Sequence, residues 1–421
     1  MLDIKFIREN KDIVIAGAKK KHVEVDIDRL LELDDKRREI LAIVEKARAE
    51  QNAASAGIAG EQDQAKKMGM IESMGDLKEK LKEGEEELKG VMDEWRLLMV
   101  QVPNVPDISV PDGDDDSDNQ EIRTWGEQTH FNFEAKSHVD LMLAHDMADF
   151  ERGSKVAGFR GYFLKNDGAR LAWALERFVQ DRFMAKGFTP LIAPSLVRRE
   201  PFLGTGYLPQ SEEDLYKTQD GDYLAGTAEV ATMSYYMDEV LDAKDLPIKF
   251  FAFSQCFRRE AGAHGKDTKG VVRVHEFMKF EQVILCEASH ETTVAHHEEI
   301  TLNSEELLQE LGITYHVVVN CGGDIGLGQV KKYDIEAWVP SEGKYRETHS
   351  ASYFHDFQTR RLNIRYRDTE GVMRFAHSLN NTALALPRFL VPLIENYQQA
   401  DGSIMIPEAL RPFMGKDRIS S

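Results

Sequence analysis

Apolar residues in the first hundred positions recur at alternating steps of three and four. Leu30, Leu33, Ile40, Val44 and Ala47 form one seam, with Arg37 in its polar slot; Leu77, Leu81, Leu88, Val91, Trp95 and Leu98 form a second, with Gly84 in its missing slot. Heptad spacing of this kind collects the apolar side chains on one side of an α-helix. A connecting segment containing Gly57, Gly60, Gly69 and Gly75 separates the seams, so the pattern predicts an antiparallel helical hairpin. If the helices continue toward Gly57, the arm is about 50 Å long at 1.5 Å per residue.

The pattern changes at 102–119, VPNVPDISVPDGDDDSDN, where three prolines and a dense acidic cluster leave nothing to bury. This reads as a linker, dividing the chain into an arm at 1–103, a linker at 104–119 and a large domain at 120–421. Within the large domain, 121–133 reads as a strand, 150–164 leads into a glycine-punctuated segment, and 169–186 has helical spacing ending at Gly187. The rest alternates apolar strand runs with helices and lacks both the regular βαβ rhythm and the GxGxxG turn of a dinucleotide fold. Pattern alone gives mixed α and β.

The chemistry concentrates between 250 and 281. An apolar, aromatic run at 250–257 and an alternating run at 271–280 flank a Gly- and Lys-rich loop at 261–270, which predicts an antiparallel pair with a long basic loop. On such strands Arg258 and Glu260 share a face, as do Arg273, His275, Phe277, Lys279 and Glu281. A guanidinium grips phosphate oxygens through two parallel hydrogen bonds, and a phenyl ring gives a purine a surface to stack on. Arg258 and Phe277 are therefore the leading candidates for a nucleotide triphosphate. The plain alternative is an edge hairpin with solvated cross-strand charge pairs.

Charge and composition narrow the classes. A formal net charge of −20 over 421 residues argues against indiscriminate nucleic-acid binding, which needs a broadly basic surface. Binding to RNA then requires local basic patches; the candidates are Lys19, Lys20 and Lys21, basic positions on the first long helix, and Lys266 and Lys269. Each is equally an ordinary solvated charge. No run of about 18 apolar residues exists to span a bilayer, and the N-terminal MLDIKFIREN lacks the apolar centre of a secretory signal; a cytoplasmic protein without membrane attachment is expected. Cys256, Cys286 and Cys321 are far apart, without CxxC spacing, and read as buried thiols. His296 and His297, in an acidic helical stretch without flanking ligands, read as surface residues.

FRRE, a loop and then RVHEF resembles motif 2 of a class II aminoacyl-tRNA synthetase, and the details resemble seryl-tRNA synthetase. The similarity runs along essentially the whole chain: GFTPLIAPSLV at 187–197 resembles the dimer-forming motif 1 with its closing Pro194, LAGTAEV at 224–230 the serine-binding Thr-x-Glu segment, RETHSASYFHDFQTRRLNIRYR at 346–367 the segment ahead of motif 3, and HSLNNTALALPRFLVPLIENYQ at 377–398 motif 3. The TAE segment alone is weakly specific; five matches in order are not.

The resemblance implies an α+β fold, a class II antiparallel sheet flanked by helices and preceded by the coiled-coil arm. It also implies a homodimer whose arm reaches across the partner subunit to the long variable arm of tRNA(Ser), with tRNA(Sec) as a further expected substrate. L-serine and ATP would form seryl-adenylate, and the seryl group would pass to the 3′ end of the tRNA. Arg258 and Arg388 carry the catalytic role by matching the arginines on the α- and γ-phosphates. The implied ATP set is Arg258, Arg259, Glu260, Val274, Phe277, Glu347, Thr348, His349, Ser350 and Arg388. The implied serine set is Thr227, Ala228, Glu229, Arg258, Glu281, Asn380 and Thr382, and Glu347 and Ser350 would hold Mg2+ on the phosphates.

The chain departs from the commonest family form in three places. Asn380-Asn381-Thr382 stands where Asn-Gly-Ser is usual, the surroundings of His349, Ala351 and Tyr353 differ from a Ser/Cys-rich version, and Gly158-Phe159-Arg160-Gly161 stands for Gly-Ser-Arg-Phe. Neither chemical step requires a protein nucleophile, since the serine carboxylate attacks phosphorus itself and positioning with cationic stabilisation suffices. Two other functions compete. A ligase delivering an amino acid to a carrier protein would lack the arm, and a non-enzymatic coiled-coil adaptor would have no need of Arg258, Glu281, Glu347 and Arg388 together. Within class II, threonine is disfavoured by the absence of zinc-ligand spacing.

Overall fold

The computed structural model describes residues 1–262, 265 and 267–420, and the chain divides into two compact units. One comprises Asp3–Lys19 and Val23–Pro103; the other comprises Met1–Leu2, Lys20–His22 and 104–421.

In the first unit, helices Ile27–Gly60 and Gln64–Met99 pack along the predicted seams. Leu33, Ile40, Val44 and Val91 are buried, with Leu81, Leu88, Trp95 and Leu98 packed against them. The two exceptional slots have physical explanations. The Arg37 guanidinium lies 5.2 Å from the Trp95 ring centroid and bonds Asp34 at 2.7 Å, so its charge is paired while its stem covers the seam. A Cβ at Gly84 would sit 3.1 Å from Val44 Cγ2, so glycine lets the helices approach. The connector is shorter than the sequence suggests. Gly57, Gly60, Gly69 and Gly75 all lie inside the helices, and Glu61, Gln62 and Asp63 join them. Asp63 accepts from the amides of Ala65 and Lys66 and so starts the second helix.

The second unit is built on an eight-stranded sheet. In chain order its strands are β1 (Gln120–Trp125), β2 (Thr189–Ile192), β3 (Ile248–Phe257), β4 (Glu276–Cys286), β5 (Tyr315–Val319), β6 (Lys331–Val339), β7 (Lys344–His355) and β8 (His377–Ala385). The spatial order is β1-β5-β6-β7-β8-β4-β3-β2, antiparallel except where β2 lies parallel to β3 at the edge. Helices Asn166–Ala185, His290–Glu310 and Leu386–Asn396 cover one face and bury the main core. The opposite face of the central strands is free to form a cleft.

Four expectations change here. The strand expected over 121–133 stops at Trp125. The acidic linker is anchored on the sheet unit: the Asn104 side-chain amide donates to the carbonyls of Gly328 and Phe354, and the amides of Gly322 and Gly323 donate to Pro111 and Gly113. His297 is buried, with its ring stacked on Tyr333 and bonded to the Ala351 carbonyl, and burial pushes its pKa down to about 4. Lys21 is also buried, its ammonium donating to the carbonyls of Gly326, Leu327 and Gln329; with Lys20 on Val110 and Asp112, neither is a free RNA-seeking cation. Lys266 lies outside the described residues; Lys19 and Lys269 are exposed. All three cysteines are buried and free, and no helix among the described residues is long and apolar enough to cross a membrane.

Candidate active site

The amino-acid end of the cleft is organised by β4 and β8. Glu281 pairs directly with Thr382 across the ladder, so the two side chains share a face, and Asn380, two residues from Thr382, shares it too. Beneath them the Thr227 hydroxyl donates to Glu281 Oε1 at 2.6 Å, and the Glu229 amide donates to Thr227 Oγ1 at 3.3 Å. Thr227, Ala228 and Glu229 are all buried at the start of the short helix Glu229–Met233. Glu281 Oε2 and Asn380 Nδ2 are buried without a partner. An orphan acceptor and an orphan donor on one face suit a ligand hydroxyl, which can donate and accept at once.

Glu229 accepts from the Tyr207 hydroxyl at 3.0 Å and from Gln358 Nε2 at 2.8 Å. Burial, reinforced by the neighbouring Glu281 carboxylate, pushes its pKa up to about 7. Tyr207 lies outside the quoted segments and Gln358, though within 346–367, carried no signal there; both join the site only through the tertiary fold.

The phosphate end is cationic. Arg258, Arg273, Lys279 and Arg388 line the cleft with Glu260, Val274, Phe277, Glu347, Thr348 and Thr382. The Arg258 Nε donates to the Gly226 carbonyl at 3.1 Å, and its guanidinium lies 5.5 Å from the Phe277 ring centroid. Arg388, on helix Leu386–Asn396, faces Glu347 at 3.5 Å. Burial works to raise the Glu347 pKa, but Arg388, Lys332 and Arg258 outweigh it and hold the carboxylate below its ordinary range.

A bulge sets the geometry of β7. Glu336 pairs with Glu347, while Ile335 pairs with His349 and Asp334 with Ser350, leaving Thr348 as the extra residue. Asp334 and Glu336 share a face of β6, so their partners Ser350 and Glu347 do too, despite being three apart in sequence. Lys332 and Asp334, ion-paired at 3.0 Å, adjoin Glu347 and were not anticipated. Burial and the Glu347 carboxylate raise Asp334 to about 6.

Other expected residues are placed differently. β3 ends at Phe257 and β4 begins at Glu276, so 258–260 and 271–275 are not strand, and Glu260 takes a left-handed backbone with φ +55°. Glu260 reaches Arg273 at 3.0 Å rather than sharing a strand face with Arg258. His275 does not join Phe277 and Lys279; it bonds the Arg258 carbonyl and lines a separate hollow with Phe159, Tyr216 and Met278. Arg259 is exposed, its amide donating to the Asp214 carbonyl. The His349 ring is fully buried, edge-on to Phe389 on the helical side of the sheet, which leaves only its main chain for a nucleotide.

The mostly antiparallel sheet, with its cationic cleft between β4, β7 and β8, is the architecture of a class II aminoacyl-tRNA synthetase, a ligase; the profile described as the tRNA synthetase class II core domain (G, H, P, S and T) matches residues 215–397. The profile for the seryl-tRNA synthetase N-terminal domain matches residues 1–106. The serine--tRNA ligase of Deinococcus radiodurans is 46% identical over 418 residues, covering 99% of this chain and 98% of its own, and that of Caldicellulosiruptor saccharolyticus is 44% identical with 100% of each covered. Among solved structures, seryl-tRNA synthetase from Pyrococcus horikoshii complexed with ATP matches with a TM-score of 0.89 and 38% identity, over 100% of this chain and 99% of its own. The cytoplasmic serine-tRNA ligase of Naegleria fowleri in complex with AMP gives 0.87 and 32%, with 100% and 99% covered. The chain belongs to the seryl-tRNA synthetase family.

Proposed function

We propose that this chain activates L-serine with ATP to seryl-adenylate and transfers the seryl group to the 3′ end of tRNA(Ser), with tRNA(Sec) as a second acceptor. The observation that carries the amino-acid assignment is the buried orphan pair, Glu281 Oε2 and Asn380 Nδ2, beside Thr382. Serine's hydroxyl satisfies both; alanine would leave both buried and unpaired. Glu229 supplies negative charge for the ammonium group, since Glu281 Oε1 is already engaged by the Lys279 ammonium and the Thr227 hydroxyl.

ATP would lie along the cationic end, with Arg258 on the α-phosphate, Arg388 on the γ-phosphate and the adenine on the Phe277 ring. The Pyrococcus relative's complex with ATP and the Naegleria relative's with AMP support that reading. The residues also suit Mg2+. Glu347 is kept ionised by its cationic neighbours and shares a face with Ser350, and magnesium takes few protein oxygens because it keeps several waters. Bound there, the ion would neutralise charge on the phosphates. Arg388 would exchange its carboxylate partner for phosphate oxygens, and Arg258 would hold the reacting phosphoryl group through its planar fork.

The arm at 1–103 would bind the tRNA. Homodimerisation would use the edge strand β2, where Ile192 is 87% exposed, and the cytoplasm is the compartment consistent with buried free thiols. The test is amino-acid-dependent exchange of pyrophosphate into ATP with serine, threonine, alanine and glycine, followed by charging of bulk tRNA. Serine-dependent exchange with charging is expected. Exchange without charging would indicate a carrier-protein ligase, and none would leave an adaptor.

A further inference from the structure

Behind the serine end of the cleft, on the helical side of the sheet, lies a fully buried polar knot. Asn381 and Gln282 pair directly across β8 and β4 and point away from the cleft. Asn381 Nδ2 donates to the Ile300 carbonyl at 2.5 Å and to Ser304 Oγ at 2.9 Å. Gln282 Nε2 donates to the same two atoms, at 3.0 and 3.2 Å, and Gln282 Oε1 accepts from Asn303 at 2.9 Å. Ser304 Oγ in turn donates to the Thr382 carbonyl at 3.0 Å.

The hydroxyl's single proton is thereby committed. A serine hydroxyl has one O–H and two lone pairs. With both side-chain amides donating to Ser304 Oγ, its proton can go only to Thr382. That carbonyl sits at a bulge: Phe280 pairs with Leu384 but Glu281 with Thr382, leaving Ala383 as the extra residue. A bulge leaves the ladder locally unpaired and re-aims the side chains beside it. Ser304 ties the Thr382 carbonyl, next to that bulge, to the helix behind the sheet, and Asn381 fixes which way Ser304 donates. Asn381 Oδ1, meanwhile, is buried with no hydrogen-bond partner.

We infer that Asn381, acting through Ser304, is a positioning residue that sets the aim of Thr382 and hence the fit of the amino-acid substrate. It touches no reacting atom. The inference rests on the serine reading of the cleft. It also accounts for Asn381-Thr382: the bulkier threonine is held at its bulge by a side chain that glycine lacks.

The experiment measures KM for serine and for ATP in pyrophosphate exchange for wild type, Asn381→Gly, Ser304→Ala and Thr382→Ala, alongside the thermal midpoint of each. Asn381→Gly is expected to raise the serine KM about tenfold, leave the ATP KM within about twofold, and lower the midpoint, because two buried hydrogen bonds are lost and glycine enters a strand. Ser304→Ala is expected to reproduce the serine effect, and Asn381→Gly in that background to add little, because both act through one bond. An unchanged serine KM in Asn381→Gly, or equal rises for serine and ATP, overturns the inference. Thr382→Ala separates the two levels. If it too leaves the serine KM unchanged, the serine reading of this face fails; if it raises KM while Asn381→Gly does not, only the positioning role fails.

Discussion

Glu229 offers a test in which stability and function should move in opposite directions. The residue is 6% exposed, and burial with the Glu281 charge raises its carboxyl pKa from the ordinary 4.5 to about 7. A rise of that size corresponds to about 3 kcal/mol favouring the protonated form. Because the folded pKa lies above the unfolded one, the native state binds more protons between pH 4.5 and 7. Its stabilising contribution is therefore complete below pH 4.5, is lost as pH climbs to about 7, and stays lost above that. Glu229→Gln keeps an acceptor for one of Tyr207 and Gln358 and removes the charge. The variant should match wild type near pH 5 and exceed it by at most about 3 kcal/mol at pH 8.

Activity should go the other way. If Glu229 faces the serine ammonium, binding requires the ionised form, so wild-type serine affinity should weaken by about tenfold per pH unit below 7. The glutamine variant should lose about 3–5 kcal/mol of transition-state stabilisation, the range for removing one partner of a buried charge pair. Urea denaturation of both proteins from pH 5 to 8.5, with pyrophosphate exchange over the same range, provides the readout. Stability curves that run parallel across pH would refute the raised pKa. A serine KM that is flat from pH 6 to 8 would remove Glu229 from the ammonium site.

Arg258→Ala should reduce exchange by about a hundred- to a thousandfold, as expected for a preorganised group at developing charge, with an unchanged circular dichroism spectrum; near-normal adenylation would reassign the α-phosphate contact. Glu347→Gln should weaken the response of exchange to added Mg2+, seen as a higher magnesium midpoint at fixed ATP, and an unaltered titration would move the ion elsewhere. Replacing 28–98 with a short loop should spare serine activation and abolish tRNA charging; equal loss of both would make the arm a folding element. Gly84→Leu should force the arm helices apart at Val44 and lower the arm's stability by about 1–3 kcal/mol, measured as protease sensitivity of 27–99.

What the sequence disclosed depended on whether a signal was local. Heptad seams are local, and Leu33, Ile40, Val44 and Val91 are buried as the spacing requires. The Gly-containing stretch was read as a connector because glycine lowers helix propensity, yet Gly57, Gly60, Gly69 and Gly75 all lie, exposed, inside the two long helices. Alternation misplaced Arg258, Glu260 and His275, since a period-2 pattern assumes an uninterrupted strand and cannot register that Glu260 turns left-handed. The bulges at Thr348 and Ala383 were invisible for the same reason, although they decide which polar groups of β7 and β8 share the cleft. Lys21 and His297 were taken for surface groups because composition does not show which carbonyls will converge on a polar side chain. Gln282, Ser304 and Asn303 meet only when β4 and helix His290–Glu310 pack.

The charge distribution resolves an apparent conflict. A chain of formal charge −20 is proposed to take up two polyanions, ATP and tRNA. At physiological ionic strength fields decay over about 8 Å, so a ligand at the phosphate end responds chiefly to the side chains lining the cleft. There Arg258, Arg273, Lys279 and Arg388 outnumber Glu260 and Glu347, and each acid is already engaged by an arginine. Glu260 pairs Arg273, Glu347 pairs Arg388 and Glu281 pairs Lys279 before nucleotide arrives, when a cluster of desolvated positive charges would otherwise repel itself. On the proposed reading, phosphate oxygens would replace Glu347 at Arg388 and free that carboxylate for a metal ion. Exchange of partners, with little net desolvation, lets an acidic protein hold a strongly cationic site; neutralising Glu347 should therefore weaken magnesium binding without preventing nucleotide from reaching Arg388.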